Sequence, residues 1–262
     1  MNKTEIKDFL DYKSDQYDRT EFIESDPICI PHQFSKKEDI EISGFLSAIL
    51  AWGNRKAIIQ SAQDLMKRMD QCPGDFIMNA STSDLSKLKG YYYRTFQQND
   101  PIFFIKALQN IYSHHGGLEN TFAKGFSITG SMYQAIEHVR QIFLETEHQQ
   151  RNVKHFPSPA AGSSAKRMHM FLRWMCRKDN KGVDFGIWNF CSPAHLYCPL
   201  DVHTGNVARG LELLFRKQND RKAVEELTSF LKTLDPNDPI KYDFALFGLG
   251  VFEKFHIHKR MQ

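Results

Sequence analysis

Apolar residues recur at helical spacing along most of the chain, and no stretch combines strict apolar and polar alternation with an enrichment of β-branched residues. Residues 39–53, DIEISGFLSAILAWG, are apolar on nearly every side of a helix, which predicts a central, buried helix. Ser35 and Glu38 have the spacing of a capping box at the start of that helix. The pattern as a whole predicts an all-α protein.

Further helices are predicted by the same spacing, and short polar residues mark where several of them begin. Asp201 and Asp220 each precede an apolar helical repeat, so we expect both to be N-cap residues. Gly248 and Gly250 leave room for a close contact between helices near the end of the chain. The segments predicted to be helical are NRKAIIQSAQDLMKRM, DPIFFIKALQNIYSHH, MYQAIEHVRQIFLE, SAKRMHMFLRWMCRK, DVHTGNVARGLELL, RKAVEELTSFLKTL and PIKYDFALFGLGVFEKF.

A long polar connection at 145–163 separates two groups of predicted helices. It contains Pro157, Pro159 and Gly162, which interrupt helical structure. We therefore expect residues 1–262 to form one domain of two helical lobes, with a hinge near 145–163 and a cleft between the lobes.

Length and composition exclude several classes of protein. The chain has 262 residues, 41% hydrophobic and 25% charged, which is an ordinary globular balance. No apolar run is long enough to span a bilayer, and MNKTEIKDFL lacks the apolar core of a secretory signal, so we expect a cytoplasmic protein without membrane contact. The five cysteines are odd in number and widely spread, which favours reduced thiols.

Charge is distributed unevenly around the formal total of +3. Residues 1–40 carry 6 Lys and Arg against 10 Asp and Glu, a net charge of −4, so the remainder carries +7. Residues 151–178 contain seven basic side chains and no acidic one. Such a segment attracts polyanions such as nucleic acid. A solvated face without a partner is an equally good interpretation of this segment alone.

Two residues have local contexts that suit catalysis. Lys166 begins a predicted helix beside Arg167. The positive end of the helix and this cationic neighbour both favour the neutral amine, which can attack a carbonyl-like or acetal carbon and form a Schiff base. A surface lysine is the structural alternative, and it is the commoner case. Asp201 likewise suits a purely structural N-cap. If the two residues act together, Lys166 Nζ lies within direct or one-water reach of Asp201.

The order of these elements resembles the helix-hairpin-helix base-excision DNA glycosylases. A glycine-bearing hairpin precedes Lys166, and Leu200-Asp201-Val202-His203-Thr204 with Val207-Ala208-Arg209 stands where that superfamily typically has V-D-T-H-V-x-R-V-x-x-R. Tyr242 to Gly250 is similar to a family helix that ends in small residues, and residues 45–55 are similar to its early helix and wedge loop. The resemblance spans about 40–255 and is specific around 157–209.

Two departures from the common pattern refine the resemblance. The usual L-P-G-V-G-x-x-T-A hairpin is replaced by PSPAAGSSAK, and 35 residues separate Lys166 from Asp201, nearly twice the usual interval. In both features the chain resembles the archaeal 8-oxoguanine DNA glycosylase branch. Within this resemblance, the chain is most similar to an uncharacterised bacterial family. No cysteine follows Asp201, so we expect no iron–sulfur cluster and no other cofactor or metal.

The resemblance implies a DNA glycosylase with lyase activity that excises an oxidised purine such as 8-oxoguanine from double-stranded DNA. Lys166 would be the nucleophile, and Asp201 would take its proton or stabilise positive charge on the sugar. A monomer is expected. The residues that the resemblance places at DNA are Gly162, Ser163, Ser164, Arg167, His203, Asn54 and Arg55. For Asn54 and Arg55, a helix cap and a solvated side chain are the structural alternatives.

Two other functions remain open at the level of sequence. A non-catalytic DNA-binding protein of the same fold would use Lys166 for its charge alone. A helical hydrolase that holds a metal with Asp201 and His203 is the third possibility, although no further ligands stand at a recognisable spacing.

Overall fold

The computed structural model describes residues 1–97 and 99–255, and helices dominate it, which confirms the all-α prediction. A two-stranded antiparallel hairpin, β1 (Tyr92–Tyr93) and β2 (Phe96–Gln97), is the sheet in this part of the chain. Strands of two residues are too short for an alternating pattern, so the sequence did not predict them. The α-helices of the described residues are α1 (Lys3–Tyr17), α2 (Lys37–Leu50), α3 (Arg55–Arg68), α4 (Pro73–Asn79), α5 (Thr82–Ser86), α6 (Asp100–His114), α7 (Gly117–Thr129), α8 (Met132–Glu145), α9 (Lys166–Cys176), α10 (Val202–Gly210), α11 (Arg221–Leu234) and α12 (Tyr242–Val251).

The chain forms two compact units. Of the described residues, 1–22 and 161–255 form the first unit, and residues 23–160 form the second. The junction at 160–161 lies within the 145–163 connection that was expected to act as a hinge, whereas nothing in the sequence marked the crossing at 22–23. Short 3₁₀ helices occupy Thr20–Ser25, Pro27–Cys29, Pro31–Gln33, Gln150–His155, Pro193–His195 and Pro239–Lys241.

In the second unit, α2 is buried after its first turn. Every residue from Ile40 to Leu50 is buried, which confirms the predicted central helix. The capping box was wrong, because the helix begins at Lys37 with Lys36 as N-cap and no capping side chain. Asp39, in the first turn, instead accepts a hydrogen bond from the Gly74 amide at 2.7 Å, which ties α2 to α4.

An aromatic cluster forms the core of the second unit around Phe143. The ring of Phe143 lies 5.4 Å from Phe45, 5.2 Å from Phe104 and 5.3 Å from Phe156, measured between centroids. Tilted and edge-on pairs at these distances are the favoured aromatic geometries. They hold α2, α6 and α8 together with the segment that follows Gln150–His155.

In the first unit, α12 packs against α1 and α10. A Cβ atom on Gly248 would lie 2.1 Å from the Tyr17 ring, and one on Gly250 would lie 3.0 Å from the Cβ of His203. The predicted close contact at these two glycines is therefore confirmed. Phe22 packs edge-on against Phe244 at 5.3 Å.

Two further expectations concern the chain as a whole. All five cysteines are free thiols, as predicted. Within residues 1–97 and 99–255, none of the helices has the length and apolar composition that crossing a bilayer requires.

Candidate active site

Lys166 begins α9 after a tight turn of the backbone in the first unit. Gly162 has a φ of 86°, and its carbonyl accepts a hydrogen bond from the Arg221 amide at 3.1 Å. The Ser163 hydroxyl accepts from the amide of Ala165 at 3.1 Å. Ala165 is the N-cap of α9, with a left-handed φ of 46° and no capping side chain. This turn fixes the position from which the Lys166 side chain leaves the backbone.

Asp201 is the N-cap of α10, as predicted. Its Oδ1 accepts a hydrogen bond from the Thr204 amide at 2.9 Å. Its backbone carbonyl accepts from Asn219 Nδ2 at 3.0 Å, and Asn219 Oδ1 in turn accepts from Arg209 at 2.6 Å. Asp201 is therefore held by both its side chain and its backbone, and Oδ2 takes no part in the cap.

The Asp201 oxygen outside the cap faces Lys166. Lys166 Nζ lies 3.9 Å from Asp201 Oδ2, and the two side chains are 25% and 24% exposed. Lys166 Nζ also lies 3.3 Å from Met170 Sδ, one helical turn further along α9. The predicted proximity of Lys166 and Asp201 is confirmed. An amine and a carboxylate at this distance exchange a proton through a small movement or one water.

A buried ion pair lies beside these two residues. Arg173, two turns after Lys166, donates to Asp243 on α12, and both side chains are buried. Burial raises the pKa of the Asp243 carboxyl to about 6. The positive charges of Arg173 and Lys166 oppose this rise, and the negative charge of Asp201 adds to it. Asp243 is thus coupled electrostatically to both members of the candidate pair.

Cys198 packs against the same carboxyl group and is not a second nucleophile. Its Sγ lies 4.0 Å from Asp243 Oδ1, and the residue is fully buried. Burial and the charge of Asp243 raise the pKa of this thiol well above its ordinary value. The thiol therefore stays protonated and unreactive near neutral pH.

Two of the seven basic residues of the acid-free segment 151–178, Arg173 and Arg177, are buried, so the segment is not a solvated face along its whole length. Arg173 pairs with Asp184 at 3.1 Å as well as with Asp243. Arg177 forms ion pairs with four carboxylates. In the second unit, Arg151 pairs with the buried Asp100 at 2.9 Å. The carboxylates around Arg177 are Asp18, Asp179, Asp184 and Asp238. Asp179 and Asp184 follow directly after the segment, whereas Asp18, Asp100 and Asp238 come from distant parts of the sequence, so the segment alone gave no sign of these pairings.

The remaining residues predicted near Lys166 lie around the same two helix ends. Burial lowers the pKa of the half-buried Arg167 to about 10. Ser164 is half-buried in the turn before α9. His203 is exposed on the first turn of α10, where its Cβ faces Gly250.

Asn54 and Arg55 belong to the second unit. Asn54 is the N-cap of α3, and its Oδ1 accepts from the Ala57 amide at 3.3 Å, so the expected helix cap is confirmed. Arg55 is the first residue of α3 and is partly exposed.

Several residues of the site were not singled out from the sequence. Met170 and Arg173 stand four and seven residues after Lys166, a spacing that places all three on one helical face, so this spacing was a usable signal. Asp243 and Asn219 come from distant segments, and nothing local marks either of them as a neighbour of Asp201.

The third function considered from the sequence gains no support from the geometry. Within residues 1–97 and 99–255, no group of three or more His, Cys, Asp or Glu side chains is arranged to hold a metal ion. The Cβ of His203 faces Gly250 on α12. Asp201 Oδ1 caps the first turn of α10.

Comparison with known proteins assigns a family. A family model described as "Protein of unknown function (DUF2400)" matches residues 26–252, which is most of the chain. The chain belongs to this family. No curated protein and no solved structure matches it. The family match covers Lys166, Asp201 and Asp243, so the candidate site lies within the part of the chain that defines the family.

We expect the buried carboxyl groups to make stability depend on pH. Burial raises the pKa of Asp18 to about 7, above the usual value near 4 in an unfolded chain. Between these two pH values the folded chain holds more protons than the unfolded chain, so the contribution of Asp18 to stability falls as pH rises. Asp18→Asn should therefore make the free energy of unfolding fall less steeply across this range, as measured by urea denaturation at a series of pH values.

Asp8→Asn is the matched control, since Asp8 is exposed on α1, the helix that ends just before Asp18. Equal pH slopes for the parent chain and Asp18→Asn would contradict the assignment of a raised pKa to Asp18.

Proposed function

We propose that this protein is a DNA glycosylase with associated lyase activity, which excises an oxidised purine such as 8-oxoguanine through a Schiff base on Lys166. The observation that supports this most directly is the amine–carboxylate pair, Lys166 Nζ and Asp201 Oδ2 at 3.9 Å, in which both side chains are partly open to solvent. The proposal includes a cytoplasmic location and double-stranded DNA as the partner.

Lys166 and Asp201 supply the nucleophile and the proton acceptor that this reaction needs. Asp201 accepts a proton from the Lys166 ammonium, and the neutral amine attacks C1′ of the damaged nucleotide. The C1′–N bond breaks, and the base leaves with its electron pair and takes up the proton that Asp201 accepted. The C1′–O4′ bond then breaks as the amine nitrogen passes its second proton to O4′, which leaves the open-chain sugar joined to Lys166 as a protonated imine. Loss of a C2′ proton to water forms the C2′–C3′ double bond, and the C3′–O bond breaks with release of the 3′ phosphate.

The turn before Lys166 supplies features that suit a phosphate group. A Cβ atom built on Gly162 would meet no atom within 4 Å, so the backbone there is open to a ligand. The amide end of α9 carries partial positive charge, and no acidic side chain stands in its first turn. In the proposed complex this end of α9 contacts the DNA backbone while the damaged nucleotide is extruded towards Lys166.

Borohydride trapping tests the covalent step. With duplex DNA that contains 8-oxoguanine or an abasic site, the parent chain should form a reduced covalent adduct, because borohydride fixes the imine. Lys166→Gln should abolish the adduct, since a carboxamide cannot form an imine. The measurement is the shifted protein–DNA band on a denaturing gel.

Lys178→Gln is the matched control, because Lys178 is exposed just after α9 and should leave the adduct unchanged. Absence of an adduct across a panel of oxidised and abasic substrates would overturn the proposed activity.

Asp201→Asn separates catalysis from helix capping. Asparagine is as good an N-cap as aspartate, so thermal stability should stay close to that of the parent chain. Without the carboxylate, the rate of adduct formation should fall by about 10²-fold or more. The paired measurements are a melting temperature and single-turnover trapping. An unchanged trapping rate would remove Asp201 from the mechanism.

A second function uses the same turn. The open backbone at Gly162 and the partial positive charge at the start of α9 also suit a DNA-binding protein that does no chemistry. Lys166→Arg keeps the charge and removes the amine nucleophile. Under the glycosylase proposal this variant binds abasic duplex as the parent does but gives no adduct, as measured by fluorescence anisotropy and trapping. If the parent chain binds equally well and also gives no adduct, the binding function is correct.

A further inference from the structure

The β1–β2 hairpin of the second unit packs on the loop between α2 and α3. The Tyr93 hydroxyl donates to the backbone carbonyl of Trp52 at 2.6 Å. A Cβ atom on Gly53 would lie 2.2 Å from an Arg94 guanidinium nitrogen, so the absence of a side chain at Gly53 lets Arg94 lie across the loop. Gly53 also has a φ of 108°, which an L-residue rarely adopts. The φ of Gly53 therefore favours glycine here, and a side chain at this position would displace the Arg94 guanidinium.

The Gln150–His155 helix joins the same surface. Arg151 donates to the carbonyl oxygens of Thr95 at 3.2 Å and Gln97 at 3.3 Å. The rings of His155 and Trp52 lie 5.9 Å apart at a 30° tilt. Three segments distant in sequence, 52–56, 91–97 and 151–155, thus form one surface, which we name the hairpin surface.

The hairpin surface is basic. Its three segments contain no Asp or Glu, and they carry five basic side chains besides a histidine. Arg151 is offset by the buried Asp100 at 2.9 Å. Lys56, Arg94 and Lys154 are exposed. A surface with this excess of exposed cations attracts a polyanion.

An aromatic side chain lies on the open face of the hairpin. Along β1 the side chains alternate, so that Tyr93 is buried against Trp52 while Tyr92 is 67% exposed. Exposed aromatic rings next to basic side chains are the combination with which proteins bind unpaired nucleotides, because the ring stacks on a base while the cations contact phosphates. A protein partner of acidic character would be attracted by the charges but would give Tyr92 no base to stack on.

We propose that the hairpin surface binds DNA, with Arg94 and Lys154 on backbone phosphates and Tyr92 stacked on an unpaired base. The choice of DNA rather than RNA rests on the proposed function. The residues of the hairpin surface all belong to the second unit, and none of them takes part in the Lys166 chemistry.

The test measures binding by fluorescence anisotropy with the full chain carrying Lys166→Gln, so that no covalent step interferes. The probe is a short labelled duplex with one abasic analogue opposite an unpaired base, titrated over a series of KCl concentrations. Arg94→Ala and Lys154→Ala should each reduce the slope of log affinity against log salt by about 0.9. Tyr92→Ala should weaken binding to this duplex by about fivefold or more, while binding to the fully paired duplex changes less.

Two matched variants control for charge and for folding. Lys124→Ala removes an exposed lysine from α7 of the same unit and should leave the slope unchanged. Arg94→Lys keeps the charge and should restore most of the slope lost in Arg94→Ala. A circular dichroism melt of each variant checks that a loss of binding does not come from a loss of folding.

The outcomes separate this inference from the proposed function. Binding and salt slopes that match Lys124→Ala in all three surface variants would overturn the hairpin surface, even if the lysine-intact chain forms the borohydride adduct. Loss of the slope in Arg94→Ala and Lys154→Ala, together with no adduct from the lysine-intact chain, would support the surface and reject the glycosylase. Equal affinity for a single-stranded RNA of the same length would reject the choice of DNA.

Discussion

The candidate site depends on the buried ion pair between Arg173 and Asp243. The charge of a buried arginine is costly unless carboxylates surround it, and here they come from α12 and from Asp184, in the segment after α9. The pair also fixes α9 against α12, while Asp201 caps α10, which packs on α12 as well. Lys166 and Asp201 therefore keep their separation because a common set of helices is held by charges that solvent does not reach.

The same network explains why the basic composition of 151–178 is a poor guide to partners. Two of its arginines serve the interior of the first unit, where they are shared among five aspartates. Burial raises the pKa values of Asp18 and Asp243, and the neighbouring carboxylates, which outnumber the guanidinium groups, add to this rise. The other basic side chains of the segment lie outside this buried cluster. One of them, Lys154, is exposed on the hairpin surface.

Local interactions could be predicted from the sequence, and distant ones could not. The caps at Asn54, Asp201 and Asp220 follow from hydrogen bonds across three residues, so the local pattern suffices. The capping box at Ser35 and Glu38 failed because the helix begins one residue later, where Asp39 bonds the backbone of another helix. Arg173 and Asp243 are 70 residues apart, and a single sequence holds no record of such a pairing. The contact of Lys166 with Asp201 was expected only through resemblance to a known family.

The division of the chain has a consequence for its synthesis. Residues 23–160 form a unit that is complete once they have left the ribosome, so this unit can fold while the rest is still being made. Helix α1 is synthesised before α12, on which it packs. The apolar face of α1 therefore stays uncovered until α12 has been made, so the first unit closes only after the second unit is complete.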